Sequence, residues 1–102
     1  MLETTVLTNN LLKGVMTDAV VARTGTDADL LLTNGIYQNS GTMKNLPSGA
    51  YNYGILTVMG STYFIEQHYY PHNVRNGIGF YRRMYYDNHW NGWIGIPYQS
   101  LT

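Results

Sequence analysis

Aromatic and apolar residues are concentrated in two stretches of the chain, STYFIEQHYY at 61–70 and IGFYRRMYY at 78–86, and turn residues follow each of them. Such segments are typical of β-strands, in which successive side chains point to opposite faces. In the first stretch, the alternation places Tyr63, Ile65, Gln67 and Tyr69 on one face and Phe64, Glu66, His68 and Tyr70 on the other. The predicted strands cover 36–38, 54–60, 61–70, 78–86 and 90–96. Their spacing and the turn residues between them indicate a mainly β fold, a small antiparallel sheet.

The strand at 78–86 combines aromatic and cationic residues in an unusual way. Tyr81 and Arg83 share one face, and we expect them to pack inward or along the sheet beside Trp90 and Trp93. The two tryptophans stand three positions apart, so a regular strand would direct them to opposite faces. Gly92 between them favours a bulge that changes this arrangement. We expect Trp93 to lie in the core and Trp90 to be more exposed.

The N-terminal part differs in composition from the rest of the chain. Residues 27–33 begin with acids, and Asp27 is a suitable cap for one short helix that ends at Asn34-Gly35. The preceding segment, residues 1–26, contains no aromatic residue. We interpret residues 1–26 as an N-terminal arm or as a neck where chains associate, and residues 27–102 as the main domain.

The composition excludes several function classes. The chain of 102 residues fits one domain, and its six basic residues balance six acidic ones and are scattered. That balance provides no basic surface for nucleic acid. No apolar run approaches the roughly 18 residues of a membrane span, so we expect no membrane insertion. Cysteine is absent, which excludes disulfides and thiolate sites. No secretion signal is visible at the N-terminus.

A series of short motifs occurs in a fixed order over residues 27–96. The motifs are Asp-x-Asp-Leu at 27–30, Gly-x-Tyr at 35–37, Leu-Pro-x-Gly at 46–49, Gly-x-Leu-x-Val at 54–58, Gln67, Tyr-x-Arg at 81–83 and Trp-x-x-Trp at 90–93. This series resembles the knob domain at the C-terminal ends of phage tail fibres and pyocin fibres. The final Tyr-x-Arg and Trp-x-x-Trp pair is its most specific part.

The resemblance implies a receptor-binding tip, located in the virion at the distal end of the tail fibre. Such a tip attaches to bacterial cell-surface glycan, associates as a homotrimer and continues into the remainder of the tail fibre. The resemblance also implies architectural roles for Gln67, Arg83 and Trp93. The alternatives are a trimerising cap that binds no ligand and, less favoured, a glycan-cleaving enzyme.

Tyrosine and histidine are dense near the predicted strand ends, which suits sugar recognition. Aromatic rings cover the apolar face of a pyranose, and planar polar groups pair with its hydroxyls. The alternative for these residues is that they form turns and pack locally. The candidate ligand-binding residues form two groups, which we expect to line one groove. The first group is Tyr69, Tyr70 and His72, and the second is Tyr86, Asp87, Asn88, His89 and Trp90.

Metal binding and catalysis are weakly supported by the sequence. His68 and His72 have the spacing of one helix face, but Pro71 between them disfavours a helix, so we expect no metal or cofactor. A glycosidase needs two carboxyl groups that flank the scissile bond. The aromatic half offers only Glu66 and Asp87, and we therefore expect no enzymatic activity.

Overall fold

A computed structural model of the chain describes residues 23–102. The strands are β1 Arg23–Thr24, β2 Gly35–Ser40, β3 Tyr53–Gly60, β4 Ile65–Pro71, β5 Ile78–Tyr86, β6 His89–Trp90 and β7 Ile94–Pro97. They form a single sheet in the order β1-β2-β3-β4-β5-β6, and β7 pairs with β5 beside β6. All strand pairings are antiparallel except that of β1 with β2. The mainly β, antiparallel prediction is confirmed.

The central strands have the two faces that alternation of side-chain direction predicted. Gln67 and Tyr69 of β4 are buried, whereas His68 between them is half-buried on the opposite face. The β5–β6 turn uses Asp87 and Asn88, whose φ angles of 54° and 64° match the primed turn that suits the twist of a hairpin. The β3–β4 connection is longer than the predicted tight turn at Gly60-Ser61, because residues 61–64 form the loop.

One face of the sheet is covered by the segments at 25–31 and 42–50. Their buried residues pack on the inward side chains of the central strands, and Tyr69 and Leu56 are the largest fully buried side chains. Asn39 fixes the second segment, because its side-chain oxygen accepts hydrogen bonds from the backbone N–H groups of Gly41 and Met43. The core consists of Ala28, Tyr37, Met43, Leu56, Val58, Tyr69 and Tyr81.

Buried Arg83 organises the covered face at the end of β5. Its guanidinium lies 4.1 Å from the Trp90 ring centroid and 4.4 Å from that of Trp93. Its Nε donates to Gln67 Oε1, and its Nη1 lies 2.9 Å from Asp29 Oδ1. Burial lowers the pKa of Arg83 from its ordinary value, and the bond to Asp29 counteracts that effect. These contacts are consistent with the expected architectural roles of Gln67, Arg83 and Trp93.

Three details of the predicted organisation need correction. The helix is a single 3₁₀ turn, Ala28–Leu30, although Asp27 caps it as expected by accepting from the Asp29 N–H. The predicted last strand is divided at residues 91–93 into β6 and β7. The expected difference in exposure between the tryptophans is not seen, because both indoles are half-buried and pack on the same guanidinium, although Trp93 does pack against the core.

The last residues of the predicted N-terminal arm form a strand of the sheet. Arg23–Thr24 pairs with Tyr37 and Gln38 of β2, so the last residues of the 1–26 segment belong to the sheet. The interpretation of residues 1–22 as an arm or neck lies outside the described residues. Within residues 23–102, no helix has the length and apolar character needed to cross a membrane.

Candidate functional site

The predicted site residues fall into two groups at opposite ends of the sheet. Tyr69 of β4 lies opposite Tyr81 of β5, whereas Tyr86 lies at the far end of β5. The separation of Tyr81 and Tyr86 along the strand is about 17 Å at the usual rise per residue. The expectation that both groups line one groove is therefore wrong, because antiparallel pairing moves the end of β4 away from the end of β5.

Tyr69 belongs to the core rather than to a ligand surface. Its side chain is 0% exposed, and its hydroxyl donates to the Tyr51 carbonyl oxygen at 2.7 Å and accepts from Asn39 Nδ2 at 3.3 Å. Burial raises the pKa of Tyr69 above its ordinary value. The assignment of Tyr69 as a ligand contact is wrong, since alternation along β4 directs it into the covered face.

The group at the β5–β6 turn is divided between the two faces of the sheet. Trp90 pairs with Tyr85 on the covered side, where its indole Nε1 donates to the Asp29 carbonyl oxygen. Tyr86 pairs with His89 and is exposed. His89 Nδ1 lies 3.1 Å from the carbonyl oxygen of Asp87, a contact within the turn. Asp87 and Asn88 are exposed at its tip. This group therefore lacks a common concave surface.

The opposite, open face of the sheet gathers the remaining aromatic and charged residues. No helix or strand of residues 23–102 packs across it, since every substantial contact between elements joins neighbours in the sheet. Tyr70 of β4 stacks on Phe80 of β5, with ring centroids 5.3 Å apart and an angle of 21° between the planes. Tyr70 is 42% exposed. We call Glu66, His68, Tyr70, Phe80 and Arg82 the open-face cluster.

A chain of hydrogen bonds orients the Tyr70 hydroxyl within the open-face cluster. His68 Nε2 lies 2.7 Å from Glu66 Oε1, and His68 Nδ1 lies 3.1 Å from the Tyr70 hydroxyl oxygen. A carboxylate only accepts, so Nε2 of a neutral imidazole carries the proton and Nδ1 accepts from the Tyr70 hydroxyl. The lone pairs of the Tyr70 oxygen then remain available to a ligand hydroxyl. Arg82 Nη2 lies 3.4 Å from the same Glu66 oxygen.

A hollow of about 460 Å³ adjoins the open-face cluster. Tyr70 belongs to both, because its ring stacks on Phe80 of β5 and also lines the hollow, whose other residues lie on β2, on β3 and just before β2. A size of this order is within the usual range for small-molecule sites. The hollow is lined by Asn34, Gly35, Ile36, Thr57, Val58, Met59 and Tyr70.

The sequence contained part of the signal for this site. Alternation placed His68 and Tyr70 on one face of their strand, and Phe80 and Arg82 on one face of the next. What was missing was the register, which sets His68 opposite Arg82 and so brings the two faces together. Apart from Tyr70, the residues of the hollow were missed, because their contribution depends on the β2–β3 pairing.

Comparisons with family models, with known proteins and with solved structures found no match to this chain. Among residues 23–102, no group of three or more His, Asp or Glu side chains is placed to hold a metal ion. His72 is exposed after β4, where its backbone N–H donates to the Tyr53 carbonyl oxygen. The geometry of the open face is therefore the basis for assigning a function.

Proposed function

We propose that this chain is a non-enzymatic saccharide-binding module that acts through the open face of its sheet. In the setting implied by the motif resemblance, it is the receptor-binding knob at the distal tip of a phage tail fibre, which attaches the virion to bacterial surface glycan. The observation that carries the proposal is the half-exposed Tyr70 ring, backed by Phe80 and oriented by His68, at the edge of an open hollow.

The arrangement supplies both kinds of contact that a sugar needs. The Tyr70 ring offers a flat apolar surface for the C–H face of a pyranose. Its hydroxyl oxygen and the Glu66 carboxylate, both oriented by His68, offer acceptors for sugar hydroxyls. Because Phe80 and His68 already hold Tyr70, less side-chain freedom is lost when a ligand binds.

A non-catalytic role is supported by the surroundings of the two candidate carboxyl groups. Glu66 is engaged by both His68 and Arg82, so its carboxylate already serves as a hydrogen-bond acceptor within the open-face cluster. Asp87 lies in the β5–β6 turn, beyond Met84, the residue that faces Glu66. Single sugar contacts are weak, so a homotrimer at the end of the remaining fibre would strengthen attachment through avidity.

A structural cap is the second candidate, and exposed apolar residues on the open face favour it. Met59 and Ile94 are each 55% exposed there, and such residues are suited to contacts between copies. In a cap, the Tyr70 ring would be covered by a neighbouring subunit. In a receptor-binding knob, it would stay accessible in the assembled oligomer.

The test compares Tyr70→Ala with Tyr86→Ala in binding to a panel of bacterial cells and immobilised glycans. Tyr86 is a matched control, because it is exposed on the same sheet at the far end of β5. We expect glycan binding that Tyr70→Ala abolishes and Tyr86→Ala retains, with both variants folded and with unchanged oligomeric state by analytical ultracentrifugation. Loss only in Tyr86→Ala would move the site to the β5–β6 turn. No binding by a correctly assembled wild type would favour the cap.

A further inference from the structure

The part of the hollow between Ile36 and Met59 is apolar. These two residues contribute aliphatic and thioether surface, whereas the polar side chains of the lining are those of Asn34, Thr57 and Tyr70. The Asn34 side-chain oxygen already accepts from the Gly60 N–H at 2.6 Å. A hydroxyl group placed between Ile36 and Met59 would exchange water for apolar contacts, which costs free energy unless it finds a partner. A methyl group would gain by the same transfer.

The charges beside the hollow also restrict the ligand. Glu66 and Arg82 form an ion pair on the open face, so the two formal charges of the cluster offset each other. His68 is hydrogen-bonded to the same Glu66 oxygen. A sugar carboxylate or phosphate would have to compete with Glu66 for Arg82, whereas a neutral pyranose would keep the ion pair intact.

We infer that the hollow receives the methyl-bearing substituent of a neutral saccharide, either the 6-methyl group of a deoxyhexose or the methyl group of an N-acetyl hexosamine. The inference rests on the proposed saccharide-binding function and specifies its ligand class. The pyranose ring lies on Tyr70, its hydroxyl groups face the Tyr70 oxygen and the Glu66–His68 pair, and the methyl group enters between Ile36 and Met59.

The experiment measures binding of the full 102-residue chain to two matched pairs of immobilised sugars. One pair is L-rhamnose and L-mannose, which differ only in the 6-hydroxyl group. The other is N-acetylglucosamine and glucose, which differ in the acetamido group. We expect at least one pair to show about tenfold preference for the methyl-bearing member, the size of effect that one apolar group has in an apolar pocket. The pair that shows it identifies the source of the methyl group.

Two methionine variants test the placement. Met59 lines the hollow, whereas Met84 lies across β4 on the far side of Glu66, since both residues pair with Glu66. Met59→Gln is expected to reduce the methyl preference severalfold, and Met84→Gln is expected to leave it unchanged. Met59 is 55% exposed, so its substitution is compatible with folding. Ile36→Thr provides a second change inside the hollow, with circular dichroism as the check on folding.

The outcomes separate this inference from the proposed function. Saccharide binding that depends on Tyr70 but shows no methyl preference in either pair overturns the inference and leaves the function in place. Stronger binding of acidic sugars than of neutral ones also overturns it. A methyl preference that survives both Met59→Gln and Ile36→Thr places the substituent elsewhere and refutes the inference. Absence of binding to any saccharide removes both the function and the inference.

Discussion

Replacement of Gln67 by leucine tests whether the covered face depends on its polar network. Gln67 is 0% exposed, and its Nε2 donates to the carbonyl oxygens of Ala28 and Leu31 at 2.8 and 3.0 Å. Its Oε1 accepts from Arg83 Nε at 2.9 Å. Leucine would fill much of the same space while removing all of these bonds and leaving their partners buried.

The expected loss of stability follows from the number and kind of bonds. Each of the two neutral bonds contributes about 1 kcal/mol net, and the bond to the charged Arg83 contributes about 1.5–3 kcal/mol. Gln67→Leu should therefore lower the free energy of unfolding by about 3.5–5 kcal/mol, a large share of the usual 5–15 kcal/mol for a domain. At a urea m-value of about 2 kcal/mol/M, the middle of the usual range, the unfolding midpoint should fall by roughly 2 M.

The assay is urea unfolding followed by tryptophan fluorescence, because both indoles pack on Arg83 and report on the same region. Gln38→Leu is the control, since Gln38 is exposed on β2, and its change should stay within about 0.5 kcal/mol. A double-mutant cycle with Arg83→Met isolates the coupling between Gln67 and Arg83. A loss below about 1 kcal/mol in Gln67→Leu would refute the reasoning that these bonds hold the 28–31 segment on the sheet.

Two further predictions concern acid stability and backbone packing. The hydrogen bonds from Asn45 Nδ2 and from the backbone of Asp29 hold the pKa of Asp27 below its ordinary value, so its contribution is complete above the unfolded-state pKa and is lost as the pH falls through the folded-state pKa. The stability of wild type relative to Asp27→Asn should therefore decline on acidification below about pH 4, and a constant difference in thermal unfolding across this range would contradict it. A Cβ on Gly54 would lie 2.5 Å from a backbone carbonyl oxygen, whereas a Cβ on Gly92 would meet nothing within 4 Å. Gly54→Ala should lower the free energy of unfolding by about 1–3 kcal/mol or more, whereas Gly92→Ala should leave it almost unchanged. Equal urea midpoints for the two variants would contradict this prediction and show that β3 and β4 can move apart.

Much of the fold was predictable, because strand positions depend on local patterns. The boundaries of β5 at Ile78–Tyr86 agree with the prediction, and so does the inward direction of Arg83 beside the tryptophans. The short helix was overestimated. Asp27 does cap residues 28–30, but the chain turns at Leu31, whose φ and ψ of −93° and 86° are not helical.

The candidate site was only partly predictable, because it depends on contacts between strands. Tyr70 was identified, but Tyr69 was assigned to the same surface although neighbouring residues of a strand point to opposite faces. The exposed turn at 87–89 was predicted to bind sugar because its residue types are suited both to sugar contacts and to a turn. The structure shows the turn geometry, with positive φ at Asp87 and Asn88.

The sequence by itself determined where the strands lie and which residues share a face, because a period of two and the turn residues act over short distances. Only the tertiary structure decided which residues of different strands lie next to one another on the same face of the sheet. The pairing of His68 with Thr57 on one side and with Arg82 on the other joins residues from three strands through backbone hydrogen bonds that no local pattern encodes. Those pairings place the open-face cluster beside the hollow, since register is set by all the neighbouring strands and loops together.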